Sequence, residues 1–309
     1  MSTDIGLQRS TLLDLIGNTP LLELSRLSPK PGVKLFAKAE WFNPGGSIKD
    51  RAALSIINDA EARGALTGNK ILLDSTSGNT GIAYAMIGAA RRYRVKLVVP
   101  ENINPERRRI LTAYGAQLVL TDPLEGADGA IRVAQEIYQK DPGLYFFADQ
   151  YSNDANWRAH FETTGPEIWE QTGGEVTHFI AGLGTTGTFV GTTRFLKKKR
   201  PGIQAITVQP DSPMHGLEGM KHLATAIVPR IYDSALVDRQ VNVSTEKAHQ
   251  MVLQTARQEG LLIGVSAGAA VAVAQEVLAD LNNGLIVLVF PDSGNRYLSE
   301  SFWEEYALH

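Results

Sequence analysis

Residues 43–51 read NPGGSIKDR. Two glycines lead into a helix start, and Ser47 and Asp50 have the S-x-x-D spacing of a capping box. Capping accounts for those two residues but not for Lys49, because a helix N-terminus disfavours a cation. The same positive potential eases loss of the ammonium proton. A lysine that sheds its proton readily attacks carbonyls and can form a Schiff base.

Two other segments supply complementary chemistry. STSGNTG at 75–81 gathers the hydroxyls of Ser75, Thr76, Ser77 and Thr80 with the amide of Asn79 at a second helix start, a cradle for a carboxylate or another small anion. GLGTTGT at 182–188 combines glycines, which admit a close ligand, with donors from Thr185, Thr186 and Thr188, a pattern suited to phosphate. Gly182, Gly184 and Gly187 also spell GxGxxG, the dinucleotide fingerprint, so a NAD-binding enzyme stays open. That motif wants an acidic residue about 20 positions on, at the end of the next strand. Here the next strand ends at Gln209-Pro210, and Asp211 comes late. A nucleophilic amine, a phosphate loop and a carboxylate loop together fit a phosphorylated aldehyde and an amino acid. Pyridoxal phosphate (PLP) meets that description.

These segments need a scaffold. Strand-like runs at 70–74, 96–100, 117–121, 178–181, 203–209 and 285–290 are interleaved with helical stretches at 81–93, 105–115, 127–140, a stretch ending at 200, and one from 264 onward. Nearly continuous apolar strands alternating with helices predict parallel sheets covered on both faces. Three strand-to-helix joints are rich in small residues: 75–81, 182–188 and VSAGAA at 265–270. Ligands of such sheets gather beyond the strands' carboxyl ends, where these joints lie. A polar stretch at 152–156 is the expected domain boundary.

Composition narrows the rest. The 309 residues, 43% hydrophobic and 20% charged, suit a globular α/β chain of about two domains. A net charge of -3 argues against a general nucleic-acid binder. The KKKR run at 197–200 reads as a basic last helical turn. With no cysteine, thiol nucleophiles and thiolate-bound metals are excluded. The six histidines show no HExxH pairing, so no metal site is expected. No basic segment followed by an apolar core opens the chain, and LIVLVF at 285–290 is too short to span a bilayer. A cytoplasmic protein without membrane contact is expected.

Together, IGNTPLLEL at 16–24, NPGGSIKDRAA at 43–53, TSGNTGIA at 76–83, TTGPEIWEQTGG at 163–174, GLGTTGT at 182–188, GVSAGAA at 264–270 and PDSGNRYLS at 291–299 resemble the cysteine synthase family, the O-acetylserine sulfhydrylases. The resemblance runs in order along nearly the whole chain. It implies an α/β fold with two doubly wound three-layer domains flanking a PLP cleft, tryptophan synthase β-like (PLP fold type II). The smaller, mobile domain would span 40–152, and 1–39 with 153–309 the larger. It further implies that Lys49 is the Schiff-base lysine and moves protons at the substrate Cα. Asn79 would bond the cofactor's 3′-oxygen. Gly184, Thr185, Thr186, Gly187 and Thr188 would form the phosphate cup, and Ser266 would face the pyridine nitrogen. Thr76, Ser77, Thr80 and Gln150 would bind the substrate α-carboxylate. A hydroxyl at Ser266 makes the ring a weaker electron sink than an aspartate would, favouring β-elimination over transamination.

The implied reaction is β-replacement on O-acetylserine or O-phosphoserine through an α-aminoacrylate, with sulfide, thiosulfate or a similar sulfur nucleophile giving cysteine or S-sulfocysteine. Cystathionine β-synthase, using homocysteine, shares several motifs and remains the alternative. SPMHGLEGMKHLATAIVP at 212–229 and the Thr-Thr pair of the cup look B-type. That branch commonly places basic side chains ahead of its "VP" element, where this chain has Lys221 and His222. Lys221 is therefore the candidate for an anionic substrate group, beside the alternative of a solvated surface lysine. The expected partners are small molecules and a second copy of the chain. Docking of a serine acetyltransferase stays open.

Overall fold

The computed structural model describes residues 10–76 and 78–307. Residues 1–9, within the opening stretch read for a leader, and Ser77 of the carboxylate loop lie outside the described residues. The chain runs β1 (Leu21–Glu23), β2 (Val33–Ala39), α1 (Lys49–Ala62), β3 (Ile71–Ser75), α2 (Asn79–Arg91), β4 (Arg94–Pro100), α3 (Pro105–Ala113), β5 (Gln117–Thr121), α4 (Gly126–Lys140) and β6 (Tyr145–Phe147). It continues with α5 (Asp154–Ala159), α6 (Gly165–Gln171), β7 (His178–Gly182), α7 (Gly187–Lys199), β8 (Gln204–Pro210), β9 (Arg239–Val243), α8 (Thr245–Glu259), α9 (Val265–Asp280), β10 (Gly284–Phe290) and α10 (Phe302–Ala307).

Two sheets result. One has the order β5-β4-β3-β6 and the other β1-β2-β10-β7-β8-β9. All pairings are parallel except β1 with β2. Each sheet is covered on both faces, because successive strand residues point to opposite sides. In the four-stranded sheet Leu72, Val95 and Leu97 pack under α1 and α2, while Ile71, Leu73 and Val98 pack under α4. In the six-stranded sheet Ile180, Ile206, Ile286 and Leu288 meet α8 and α9, and Phe179, Ala181, Val287 and Val289 meet α7. The continuous apolar runs of β3, β7 and β10 follow from this double burial.

The basic run at 197–200 closes α7 as expected. Lys197 pairs with Asp238 at 2.7 Å, and Lys198, Lys199 and Arg200 lie over the rings of Phe161, Phe195 and Trp169. Among the described residues no helix is long and apolar enough to cross a membrane.

The helix start at Lys49 differs from a full capping box. Ser47 Oγ accepts from Lys49 N at 3.3 Å, as a cap would. Asp50, however, turns to the glycines, and its Oδ2 accepts from Gly45 N at 2.5 Å. A side chain at Gly45 would collide with that carboxylate, so glycine here makes room for the turn.

Candidate active site

The carboxyl ends of β3, β7 and β10 converge with the N-termini of α1, α2, α7 and α9 around one continuous cleft. One lobe, of about 580 Å³, is lined by Lys49, Thr76, Asn79, Thr80, Gln150, Thr185 and Lys221. The other, of about 550 Å³, is lined by Lys49, Asn79, Thr185, Thr186, Thr188 and Ser266. Lys49, Asn79, Gly184 and Thr185 border both lobes.

Lys49 is the first residue of α1 and is half-buried. The strand-like segment before it is zipped to the end of β10: Ile48 N donates to Pro291 O at 2.9 Å, and Ser47 bridges Asp292. Among the described residues Lys49 Nζ donates no hydrogen bond. Burial pulls its ammonium below the ordinary lysine range, and the charge of Asp292 opposes that shift. Burial thus joins the helix end in disfavouring the charged form of this amine. The next turn is anchored by charge. The Arg51 guanidinium binds Glu40 (Nε–Oε2 2.8 Å) and Glu167 (Nη1–Oε1 2.6 Å), and Lys38 binds Glu167 at 2.7 Å.

Asn79 opens α2 and is gripped at both ends of its amide. Its Nδ2 donates to Asp292 Oδ2 at 2.6 Å, and its Oδ1 accepts from Arg296 Nη1 at 2.5 Å. Arg296 also donates to the Gly45 carbonyl, tying this group to the NPGGSIKDR turn.

The loop 183–186 ends with Thr186 in the left-handed region, φ 70°, and α7 starts at Gly187. Thr185 and Thr186 are buried, and Thr186 Oγ1 has no hydrogen-bond partner. A side chain at Gly184 would overlap the Gly219 carbonyl oxygen, and one at Gly187 would overlap Asn156 Oδ1. Glycine at both positions therefore lets this loop pack against Gly219 and Asn156. Thr188 Oγ1 lies 3.3 Å from His160 Nε2, a buried imidazole that burial keeps neutral. Ser266 is the second residue of α9 and is nearly covered.

In the 75–81 loop, Thr76 Oγ1 accepts from Gly78 N and Gly81 N, both at 3.1 Å. Thr80 Oγ1 donates to Gln150 Oε1 at 2.7 Å, and Gln150 Nε2 donates to Ser75 O at 2.7 Å. Beneath them Asp74 accepts from Ser75 N at 2.8 Å and Gln150 N at 3.3 Å. Burial pushes its carboxyl up to about 7.

Lys221 also lines the cleft but is neither solvated nor free. It is 7% exposed, and its Nζ lies 2.8 Å from Asp128 Oδ1 and above the ring of Tyr151. His222 faces outward, its Nδ1 paired with Thr225 Oγ1 at 2.8 Å. Asp292, Tyr297, Arg296, Glu218 and its ion-pair partner Arg107 were not singled out by residue type and spacing. PDSGNRYLS carries three of them, yet nothing in that string says which side chains turn inward. Among the described residues no cluster of His, Asp or Glu is arranged to hold a metal ion.

The chain's similarities agree with this geometry. The family model described as "Pyridoxal-phosphate dependent enzyme" matches residues 12–292. A cysteine synthase of Aquifex aeolicus is 48% identical over 304 residues, covering 96% of this chain and 93% of its own. Cysteine synthase B of Escherichia coli is 42% identical, covering 96% and 97%. The crystal structure of a cysteine synthase from Entamoeba histolytica superposes with a TM-score of 0.91 at 34% identity, covering 98% of this chain and 93% of that one. These similarities favour the cysteine synthase reading over the homocysteine and dinucleotide alternatives. The chain belongs to the pyridoxal-phosphate dependent enzymes and, within them, to the cysteine synthases.

Proposed function

We propose that the cleft binds PLP and an activated serine and replaces the serine's β-substituent with a sulfur nucleophile. The observation that carries this reading is the position of Lys49. Its amine has no hydrogen-bond acceptor, has a depressed pKa, and stands where the two lobes meet.

The residues present fit the cofactor. The buried, unpartnered Thr186 hydroxyl and the N–H groups at the start of α7 suit its phosphate. Asn79 and Ser266 flank the lobe that would take the ring. When bound, the cofactor supplies an electron sink for the substrate carbanion. The protein does the rest. Lys49 holds the cofactor and moves the proton at the substrate Cα. The α2 start, with Thr76, Ser77, Thr80 and Gln150, holds the α-carboxylate.

We assign 40–152 to a smaller unit that moves against 1–39 and 153–309. Support comes from the strands, since the four-stranded sheet falls wholly within the first range. The Lys221–Asp128 and Arg107–Glu218 pairs join the two ranges across the cleft. Closure would exclude water from the reacting centre. An anionic leaving group or donor would compete with Asp128 for Lys221. The B-type features at 212–229 support O-phosphoserine and thiosulfate as substrates beside O-acetylserine and sulfide. A homodimer is proposed from the family resemblance.

The test is a matrix of O-acetylserine and O-phosphoserine against sulfide, thiosulfate and homocysteine. Cysteine or S-sulfocysteine as the main product supports the reading. Cystathionine as the preferred product, or no turnover of either activated serine, refutes it.

A further inference from the structure

Asp292 follows β10 and is 1% exposed. Its carboxylate is only half satisfied. Oδ2 accepts from Asn79 Nδ2 at 2.6 Å and from Tyr297 OH at 2.7 Å, while Oδ1 has no partner. It lines the same lobe as Lys49, Asn79 and Ser266. Gly264, at the N-terminus of the 16-residue helix α9, abuts Oδ1, and a Cβ there would overlap it. The positive end of that helix lies against Oδ1.

We propose that Asp292 is a positioning residue and counter-charge of the cofactor site: Oδ2 fixes the Asn79 amide with its second Nδ2 hydrogen left for the cofactor, and the carboxylate is the negative charge that shares the lobe with the Lys49 amine. The inference rests on the assignment of Lys49 and Asn79 made above.

The amide argument is one of donor and acceptor type. Arg296 can only donate, and Asp292 Oδ2, which accepts from Tyr297 OH, also accepts from the Asn79 amide. The oxygen of Asn79 must therefore face Arg296 and its nitrogen Asp292, so the amide has one orientation. The charge argument depends on what else surrounds Lys49. Glu218 lines the cleft but is paired with Arg107. Asp50, on α1 itself, is bound to Gly45 N, and burial pushes its carboxyl up to about 7. Arg296 is engaged by Asn79 and Gly45. Burial holds His160 neutral and pushes the Tyr297 phenol well above its ordinary range. Asp292, in the same lobe, is left as the acid whose charge opposes the burial of Lys49. It keeps the amine basic enough to take a proton from Cα.

The test titrates the visible absorption band of the PLP-loaded holoenzyme against pH in the native protein, Asp292→Asn and Asp292→Ala. Lys49→Ala serves as the control for the assignment. D292N keeps an acceptor for Asn79 and Tyr297 but removes the charge. Its band should fade at a pH lower than the native one by about one unit or more, with PLP affinity changed less than about twofold. D292A should show the same shift and hold PLP roughly tenfold more weakly, because Asn79 loses its anchor. A D292N band that titrates with the native one overturns the proposal. A visible band that survives in K49A overturns the underlying assignment instead. If D292A does not fold, D292N decides alone, since it keeps the side chain's shape and one acceptor while removing the charge.

Discussion

Lys221 and Asp128, 93 residues apart in the chain, meet across the cleft with Nζ 2.8 Å from Oδ1. The ammonium is nearly covered, while the carboxylate is about a quarter exposed. Asp128 also accepts from Ile227 N at 3.0 Å, so one carboxylate ties both ends of the 221–227 segment to α4. Such a pair can hold the cleft closed or release a cation to an incoming anion.

If it releases a cation, Lys221→Ala should lower kcat/KM with O-phosphoserine or thiosulfate roughly tenfold, the size of one charge-assisted hydrogen bond. O-acetylserine with sulfide should change little. Asp128→Asn removes the charge that competes for the lysine and should improve KM for the anionic substrates. Steady-state kinetics across the donor pairs decide this. An equal effect on all pairs would assign Lys221 to closure alone.

Glu167 links Lys38 and Arg51, and these two cations hold its carboxyl down at about 2 against an ordinary 4.5. Because the folded value lies below the unfolded one, the stabilisation is full above pH 4.5 and is lost as pH falls towards 2. Thermal melts of the native protein should fall through that window. Glu167→Gln should flatten the fall and cost about 3 kcal/mol near neutral pH, since it leaves two cations short of a partner. A melt profile in E167Q that tracks the native one in acid would show that other carboxylates govern acid unfolding.

Gly184 faces the carbonyl of Gly219, a backbone atom that cannot swing aside. Gly184→Ala should therefore shift the phosphate loop, with a stability loss of about 1–3 kcal/mol and weaker PLP retention. Gel filtration followed by the absorbance ratio of PLP to protein reads the second effect. Full retention at native stability would mean that the loop has slack the structure does not show.

Much of this site was legible in the sequence because its parts are local. Small-residue joints after apolar runs announced the segments that hold Asn79, Thr185 and Ser266, and the paired glycines of NPGGSIKDR announced the helix start at Lys49. Edge and short strands were missed for the opposite reason. β9 is RQVNV, largely exposed, and β6 is three residues long. β2 carries Lys38, which is fully buried because Glu167 and the Thr19 carbonyl meet its ammonium. Arg107 stands in the run ERRR, which reads as a solvated helix face, yet it is covered and stacks over Tyr297. Asp292 and Glu218 take their place in the site from Asn79 and Arg107, each more than a hundred residues away. No local spacing encodes pairing at such a distance.

The central claim is that the Lys49 amine holds the cofactor, and the most direct measurement is the visible absorption spectrum of purified native protein and Lys49→Ala, each saturated with PLP. The native protein should show the band of lysine-bound PLP, and borohydride should fix the cofactor to a peptide containing Lys49. In K49A the band should be absent while the far-ultraviolet circular dichroism is unchanged. A band of native strength in a folded K49A protein, or borohydride labelling at another lysine, would contradict the account.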